Sequence, residues 1–406
     1  SGQQFGVSNV SDPIDKGVLL LIQFLITAKF YSLFSFLFGW GMSVQMRRAL
    51  EKGKRFVPVF VRRMLILLAF GILHGVLIWT GDILTLYAIL GLLLLLFRKR
   101  SQKFILIAVL AVLLFSILLT LPWKPVEAFV NAYTSTTSFM RYNANDPNSY
   151  ANGSYSQITR LRLQDFLWAN SNFLFYFGNV FGMFLLGLYT GKRRIFENID
   201  QHQGLLRWVL VVGFVIGASF NGLLVWQTLH PNWLQGDYQR TLLIALRTFG
   251  APALMLFYVS GFILLYQNQR RRARIEPLSS VGRMALSNYV LQSVVATLIF
   301  YNYGLGLYGQ ISATVGLILT TIIYIGQIRF SNWWFSRYQF GPMEWVWRTL
   351  TYGRRQPIYL GQTYAGLKTP VAWLRFRRWW QNVHPLVPLA GAWVVLAIWF
   401  AGLFLW

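Results

Sequence analysis

Apolar runs of membrane-spanning length recur along nearly the whole chain, separated by short polar segments. They fall near residues 18–46, 64–80, 83–97, 104–123, 166–190, 208–228, 241–266, 284–301, 306–327 and 386–406. A helix of about 20 apolar residues crosses the hydrocarbon core of a bilayer. Lipid cannot hydrogen-bond an exposed backbone, so each run must be a helix. The pattern predicts an all-α fold, a polytopic transmembrane helix bundle of about 9–11 spans. The first run is long and interrupted by Lys29, and Thr80-Gly81-Asp82 is a tight turn that makes a helical hairpin of the second and third.

The polar stretches divide the chain. Residues 1–17 read as an external N-terminal segment, 18–328 as the bundle, 329–384 as an interfacial segment and 385–406 as a last transmembrane helix. Within the bundle, 124–165 reads as an external polar loop, with Asn143, Asn145, Asp146, Pro147, Asn148, Asn152 and Gly153.

Charge fixes an orientation. The chain has 37 Lys and Arg against 12 Asp and Glu, a net +25, yet only 12% of its 406 residues are charged. A soluble domain has about 25%. Segments 47–63, 98–103, 191–207, 267–283 and 327–384 hold 29 of the 37 basic residues, and all five fall on one side if the helices alternate. That side is cytoplasmic by the positive-inside rule, which predicts a multi-pass protein of a bacterial inner membrane. The same distribution argues against a nucleic-acid partner. Residue 1 then lies outside, without a start methionine, so a first helix is expected before it.

Residues 329–384 mix nine basic residues with Trp333, Trp334, Trp345, Trp347, Trp373, Trp379 and Trp380. Arg and Trp together suit a cytoplasmic interface rich in anionic lipid, the expected partner of this segment.

Several chemistries are excluded. The chain has no cysteine, and it carries no Walker A loop, HExxH or His/Cys metal spacing. No metal and no bound cofactor are expected. Gly304-x-Gly306 lies in a short external turn with no strand before it, which excludes a dinucleotide fingerprint.

Polar groups inside the membrane remain, and their burial is costly without a partner or a function. His74, in Phe70-Gly71-Ile72-Leu73-His74-Gly75, lies about two turns inside the outer end of its helix. It is either a general base or a histidine bonded to a neighbouring helix. Gly71 and Gly75 allow close approach on that side. Asp82 at the hairpin tip either orients a base, or contacts a polar substrate, or caps the next helix. Arg283 and Ser287, and likewise Asn288 and Gln292, are four apart and adjacent on a helix surface. The two amides line a polar cavity or bridge helices. Glu344 and Arg348 have the spacing of an intrahelical ion pair, with a buried Glu344 as proton relay the alternative. Arg283, Asn288, Gln292, Glu344 and Arg348 are the candidate substrate-binding residues. Lys29 and Arg247 are expected to snorkel.

Four motifs in order carry a resemblance. They are Lys29-Phe30-Tyr31-Ser32-Leu33-Phe34-Ser35-Phe36-Leu37-Phe38-Gly39, then Leu73-His74-Gly75 with Gly81-Asp82-Ile83-Leu84-Thr85-Leu86-Tyr87-Ala88. Gly282-Arg283-Met284-Ala285-Leu286-Ser287-Asn288-Tyr289 with Gln292, and Gly341-Pro342-Met343-Glu344-Trp345 with Arg348-Thr349-Leu350-Thr351-Tyr352, complete the set. Over roughly residues 18–357 the chain resembles the YeiB-type bacterial membrane family, which carries a domain-of-unknown-function label. More distantly it is similar to the transmembrane acyltransferase superfamily, which includes the heparan-glucosaminide acetyltransferase. The resemblance implies that His74 serves transfer of an acyl group from a cytoplasmic donor, with acyl-CoA as co-substrate. The family's usual first helix, with its Arg-Gly motif, is missing before residue 1, and residues 360–406 extend past the motifs. Three functions stand at this point: an acyltransferase, a transporter or exporter of a small solute, and a non-catalytic envelope assembly protein.

Overall fold

The computed structural model describes residues 12–138, 147–171 and 174–362. The expected last span, residues 363–384 of the Trp/Arg-rich segment, and Asn143, Asn145 and Asp146 of the polar loop lie outside the described residues. Those described are helical nearly throughout. The first half runs α1 (Pro13–Leu25), α2 (Lys29–Glu51), α3 (Phe56–Leu77), α4 (Leu84–Leu94), α5 (Gln102–Leu118), α6 (Lys124–Ser138), α7 (Pro147–Asn152) and α8 (Tyr155–Ser171). The second runs α9 (Leu174–Lys192), α10 (Gln203–Leu229), α11 (Gln239–Tyr266), α12 (Gln269–Arg283), α13 (Ala285–Phe300), α14 (Ala313–Phe335) and α15 (Pro342–Tyr352).

The protein is an all-α, polytopic bundle. Five helical stretches among the described residues are long and apolar enough to cross a membrane: Pro13–Glu51, α3, Asp200–Leu229, α11 and α14. The α12–α13 pair, bent by 82°, makes a sixth if it is one span. The main pairings set α2 and α5 against α9, α3 against α4, and α10 against α11. A core of Met42, Phe60, Met64, Leu90, Phe181 and Phe184 joins α2, α3, α4 and α9.

Local chemistry explains where the helices depart from the apolar runs. The first run breaks at Ala28, which takes a left-handed φ of 70°. Lys29 does not snorkel there. Its ammonium is buried and donates to the carbonyl of Gln23 in the last turn of α1, 2.8 Å away. Carbonyls at a helix end are left without intrahelical donors, and a cation satisfies one of them. Arg247 is exposed on α11.

The run expected at 306–327 begins late, because 301–310 form turns with Gly306 and Gly309 at positive φ. Ser312 then caps α14 with its hydroxyl on the Val315 N–H. Asp15 of α1 accepts the backbone N–H of Thr314, 2.9 Å away, and its hydroxyl. That seals α1 to the start of α14.

The polar stretch 124–165 is partly helical, as α6, α7 and the first part of α8. Tyr150, Ile158, Tyr301 and Tyr308 form a small core that fastens α7 and α8 to the turns after α13.

Candidate functional site

The site sits where α3 ends. His74 occupies the last turn of α3, nearer its end than the apolar run predicts, because the helix closes at Leu77 and the His74 carbonyl takes the N–H groups of Ile78 and Trp79. Its imidazole is buried. Nδ1 lies 3.0 Å from Asp82 Oδ1, with side-chain exposures of 2% and 0%. The other oxygen, Oδ2, accepts the Thr85 N–H at 2.8 Å, in the first turn of α4. Asp82 therefore joins two of its sequence readings. It caps α4, as Asp does at helix starts, and it holds the histidine.

Two glycines make this approach possible. A Cβ on Gly71 would lie 2.4 Å from the Thr85 nitrogen and 2.8 Å from Asp82 Oδ2. One on Gly75 would meet the Phe166 ring at 2.3 Å. The hairpin tip thus presses on one flank of α3 and α8 on another.

The remaining wall is Tyr289 of α13, whose ring centre lies 4.8 Å from that of His74. Its hydroxyl stands 3.4 Å from both the Gly81 carbonyl and the Ile83 N–H. His74 Nε2 is buried and has no hydrogen-bond partner among the described residues. A carboxylate accepts, so it favours the Nδ1–H tautomer and leaves the Nε2 lone pair free. The arrangement is a base with an orienting acid, one nitrogen held and the other open.

Arg162 of α8 completes the frame, and sequence reading missed it. Its side chain is wholly buried, and Nη1 donates to the carbonyls of Leu77, at 2.7 Å, and Ile78. The Tyr155 hydroxyl adds a 3.0 Å bond to Leu77. A guanidinium on the last carbonyls of a helix is favourable by charge as well as by bonding. These contacts fix the end of α3, three residues past His74.

The other expected site residues gather on the flank of α13, and there the structure corrects the spacing argument. Arg283 and Ser287 are not stacked on one helix, because the 82° bend at Met284 separates α12 from α13. The Arg283 guanidinium lies over the Phe335 ring, 3.9 Å from its centre. Glu344 makes no ion pair with Arg348 among the described residues. Its oxygens take the Leu286 N–H at 2.7 Å, the Ser287 N–H at 3.1 Å and the Ser287 hydroxyl. Unpaired N–H groups at the start of α13 outcompete an exposed i,i+4 pair, which contributes only about 0.3–0.5 kcal/mol. Arg348 lies over Phe340 instead, 4.3 Å from the ring centre.

Asn288 and Gln292 bridge helices. Asn288 donates to Ser331 at 3.1 Å, Gln292 to Gln327 at 2.7 Å, and Gln327 back to the Asn288 carbonyl at 2.9 Å. Two tryptophans assigned to the lipid interface are tied into the protein. Trp345 and Trp347 donate to the carbonyls of Gln356 and Arg63, at 2.8 and 2.9 Å.

Comparison with known proteins adds a family without an activity. Residues 190–354 match the family model described as protein of unknown function (DUF418). The uncharacterized protein YxaH of Bacillus subtilis (strain 168) is 41% identical over 352 residues, covering 83% of each chain. An uncharacterized 39.9 kDa protein from the amylase 3′ region of Bacillus acidopullulyticus is 30% identical over 84% of each chain. The uncharacterized protein YeiB of Escherichia coli (strain K12) is 26% identical over 84% of this chain and 86% of its own. No solved structure matches the chain significantly.

Proposed function

This chain belongs to the YeiB-type family of membrane proteins of unknown function, and from that premise we propose that it transfers an acyl group within the membrane, with His74 as general base. The observation that carries the reading is the buried His74–Asp82 pair, with Nε2 left open. Burial of an uncommitted imidazole nitrogen is costly unless it is used.

In this reading the protein lies in a bacterial inner membrane, its basic side cytoplasmic. The acceptor's hydroxyl or amine gives its proton to His74 Nε2 as its oxygen or nitrogen attacks the thioester carbon of an acyl-CoA. The carbon–sulfur bond then breaks, and the departing thiolate of CoA takes that proton from the imidazolium. Asp82 holds the Nδ1–H throughout and stabilises the imidazolium. The Tyr289 hydroxyl stands beside the pair, where it can steady the acceptor. Gln292 donates to Gln327, Gln327 to the Asn288 backbone carbonyl and the Asn288 amide to Ser331, which suits a helix bridge better than a solute path.

The test uses the purified chain in lipid with acyl-labelled acetyl-CoA, followed by CoA release and by label on an added acceptor. The wild type should turn over, and His74→Ala should lose about 10²–10⁴ in rate with its thermal unfolding temperature unchanged. Full turnover by His74→Ala rules out the base. A fall in activity that only tracks the amount of folded protein makes His74 structural.

A further inference from the structure

Arg63 of α3 and Arg348 of α15 lie on two helices that pack together towards the basic end of the bundle. The Arg63 guanidinium lies over the Trp347 ring, 3.8 Å from its centre, and Arg348 is the next residue along. The Arg348 guanidinium lies over the Phe340 ring, 4.3 Å from its centre. Both arginines are half-buried. Arg348 Nε is buried with no hydrogen-bond partner among the described residues. Aromatic faces hold both side chains in place, which a cation–π contact does at a cost of little mobility.

A charge balance is missing here. The chain has only 12 acidic residues, and all but Asp146 are described. Arg47 pairs with Glu51 and Glu197, and His74 with Asp82, while neither Arg63 nor Arg348 pairs with a carboxylate among the described residues. Glu344, the acid nearest in sequence, is spent on α13. Two half-buried guanidinium groups on packed elements, with no carboxylate bonded to either among the described residues, suit an anion from outside the chain.

We propose that Arg63 and Arg348 form a binding site for a phosphate group. Their planar N–H forks match tetrahedral phosphate oxygens, and such bonds are roughly twice as strong as neutral ones. Two sources present this chemistry at a membrane's basic face: the phosphates of a soluble carrier such as CoA, and the headgroup of an anionic phospholipid.

Helix geometry links the site to His74. Arg63 and His74 lie on the same face of α3, about three turns or roughly 16 Å apart. An extended pantetheine arm covers that distance, so a CoA phosphate on the arginines would lay its thioester near the imidazole. α13 runs between the two places, held by Glu344 at its first turn and placing Tyr289 against His74 at its second. This linkage rests on the acyl-transfer reading, whereas the phosphate site itself does not.

The experiment measures binding rather than activity. Purified full chain in neutral detergent is titrated with CoA and, separately, with phosphatidylglycerol, at low and high salt. CoA should bind, more weakly as salt rises. Arg63→Gln and Arg348→Gln should each weaken it at least about 10-fold. Arg348→Lys, which keeps the charge and loses the fork, should fall between. Arg55→Gln, an exposed cation on the same side, and His74→Ala should bind as the wild type does. Binding of phosphatidylglycerol alone, with the same dependence on both arginines, supports the site and assigns it to lipid. Absence of binding to both probes, or equal weakening by Arg55→Gln, overturns it. Because His74→Ala keeps the site, a failure of the base assignment would be seen separately.

Discussion

Asp82 and Glu344 perform the same local task and leave different chemistry behind. Each carboxylate sits at the start of a helix and accepts from its backbone, Asp82 one N–H at α4 and Glu344 two at α13. Glu344 gives both oxygens to α13 and to the Ser287 hydroxyl. Asp82 gives one oxygen to Thr85 and keeps the other for His74. The first arrangement fixes a bend in the chain. The second passes part of a cap's charge to an imidazole, whose remaining nitrogen is left open. A carboxylate at a helix start becomes chemically interesting only when a titratable partner reaches its second oxygen.

Substitutions at the two acids should separate these roles, and the largest effect belongs to Asp82. Asp82→Asn keeps a side chain able to cap α4, but its amide no longer demands the Nδ1–H tautomer. Turnover should fall at least about 10²-fold, while thermal stability in detergent drops only slightly. A stability loss as large as the activity loss would make Asp82 a cap and nothing more.

Glu344→Ala should show the reverse. It strands the N–H groups of Leu286 and Ser287, each a loss of roughly 1–3 kcal/mol if left unpaired, so the unfolding temperature should fall clearly. An unshifted midpoint would mean that water replaces the carboxylate at no cost, and the bend at Met284 would need another cause.

The contrast also shows what the sequence could reveal. His74 and Asp82 were legible because a polar residue in an apolar run, and an acid at a hairpin tip, stand out from their neighbours. Their pairing followed from the hairpin itself, eight residues closing on one turn. Tyr289 was not legible as part of the site, since it comes from a helix 206 residues beyond Ile83. Arg162 was hidden differently. A basic residue in a polar stretch reads as solvated, and only the fold brings it under Tyr301 and Tyr303 onto the end of α3. Glu344 misled because spacing reports the neighbours a helix supplies and says nothing of a second helix whose N–H groups compete. The bundle itself was legible from hydrophobic length alone, whereas the break at Ala28 and the late start of α14 depended on backbone turns that length does not encode.

Smaller effects test the frame around His74. Arg162→Met removes the guanidinium from the Leu77 and Ile78 carbonyls and should cost roughly 1–3 kcal/mol, read as a lower unfolding temperature in detergent. Arg162→Lys should recover part of it. Equal stability of Arg162→Met and the wild type would mean that Arg162 does not hold the end of α3.

The smallest expected effect is a pH dependence of the small core that fastens α7 and α8. Burial pushes the Asp165 carboxyl up to about 6, against the partial relief given by the Tyr150 hydroxyl bonded to it. Its folded pKa stands above the ordinary carboxylate value of 3.8. The folded state therefore holds the proton more tightly, and stability falls as pH rises from about 4 to about 6. Unfolding midpoints should be slightly higher at pH 5 than at pH 7, and Asp165→Asn should remove that difference. An unchanged difference in the variant would place the titrating group elsewhere.

The most direct test of the central claim needs no substrate. Protein labelled with ¹⁵N at its four histidines and placed in lipid nanodiscs gives imidazole signals by NMR, and His74→Gln identifies the one from His74. In the neutral imidazole the proton should sit on Nδ1, with Nε2 bare and unbonded, and the tautomers should mix in Asp82→Asn. A proton on Nε2 in the wild type, with Nδ1 bare beside Asp82, would contradict the account.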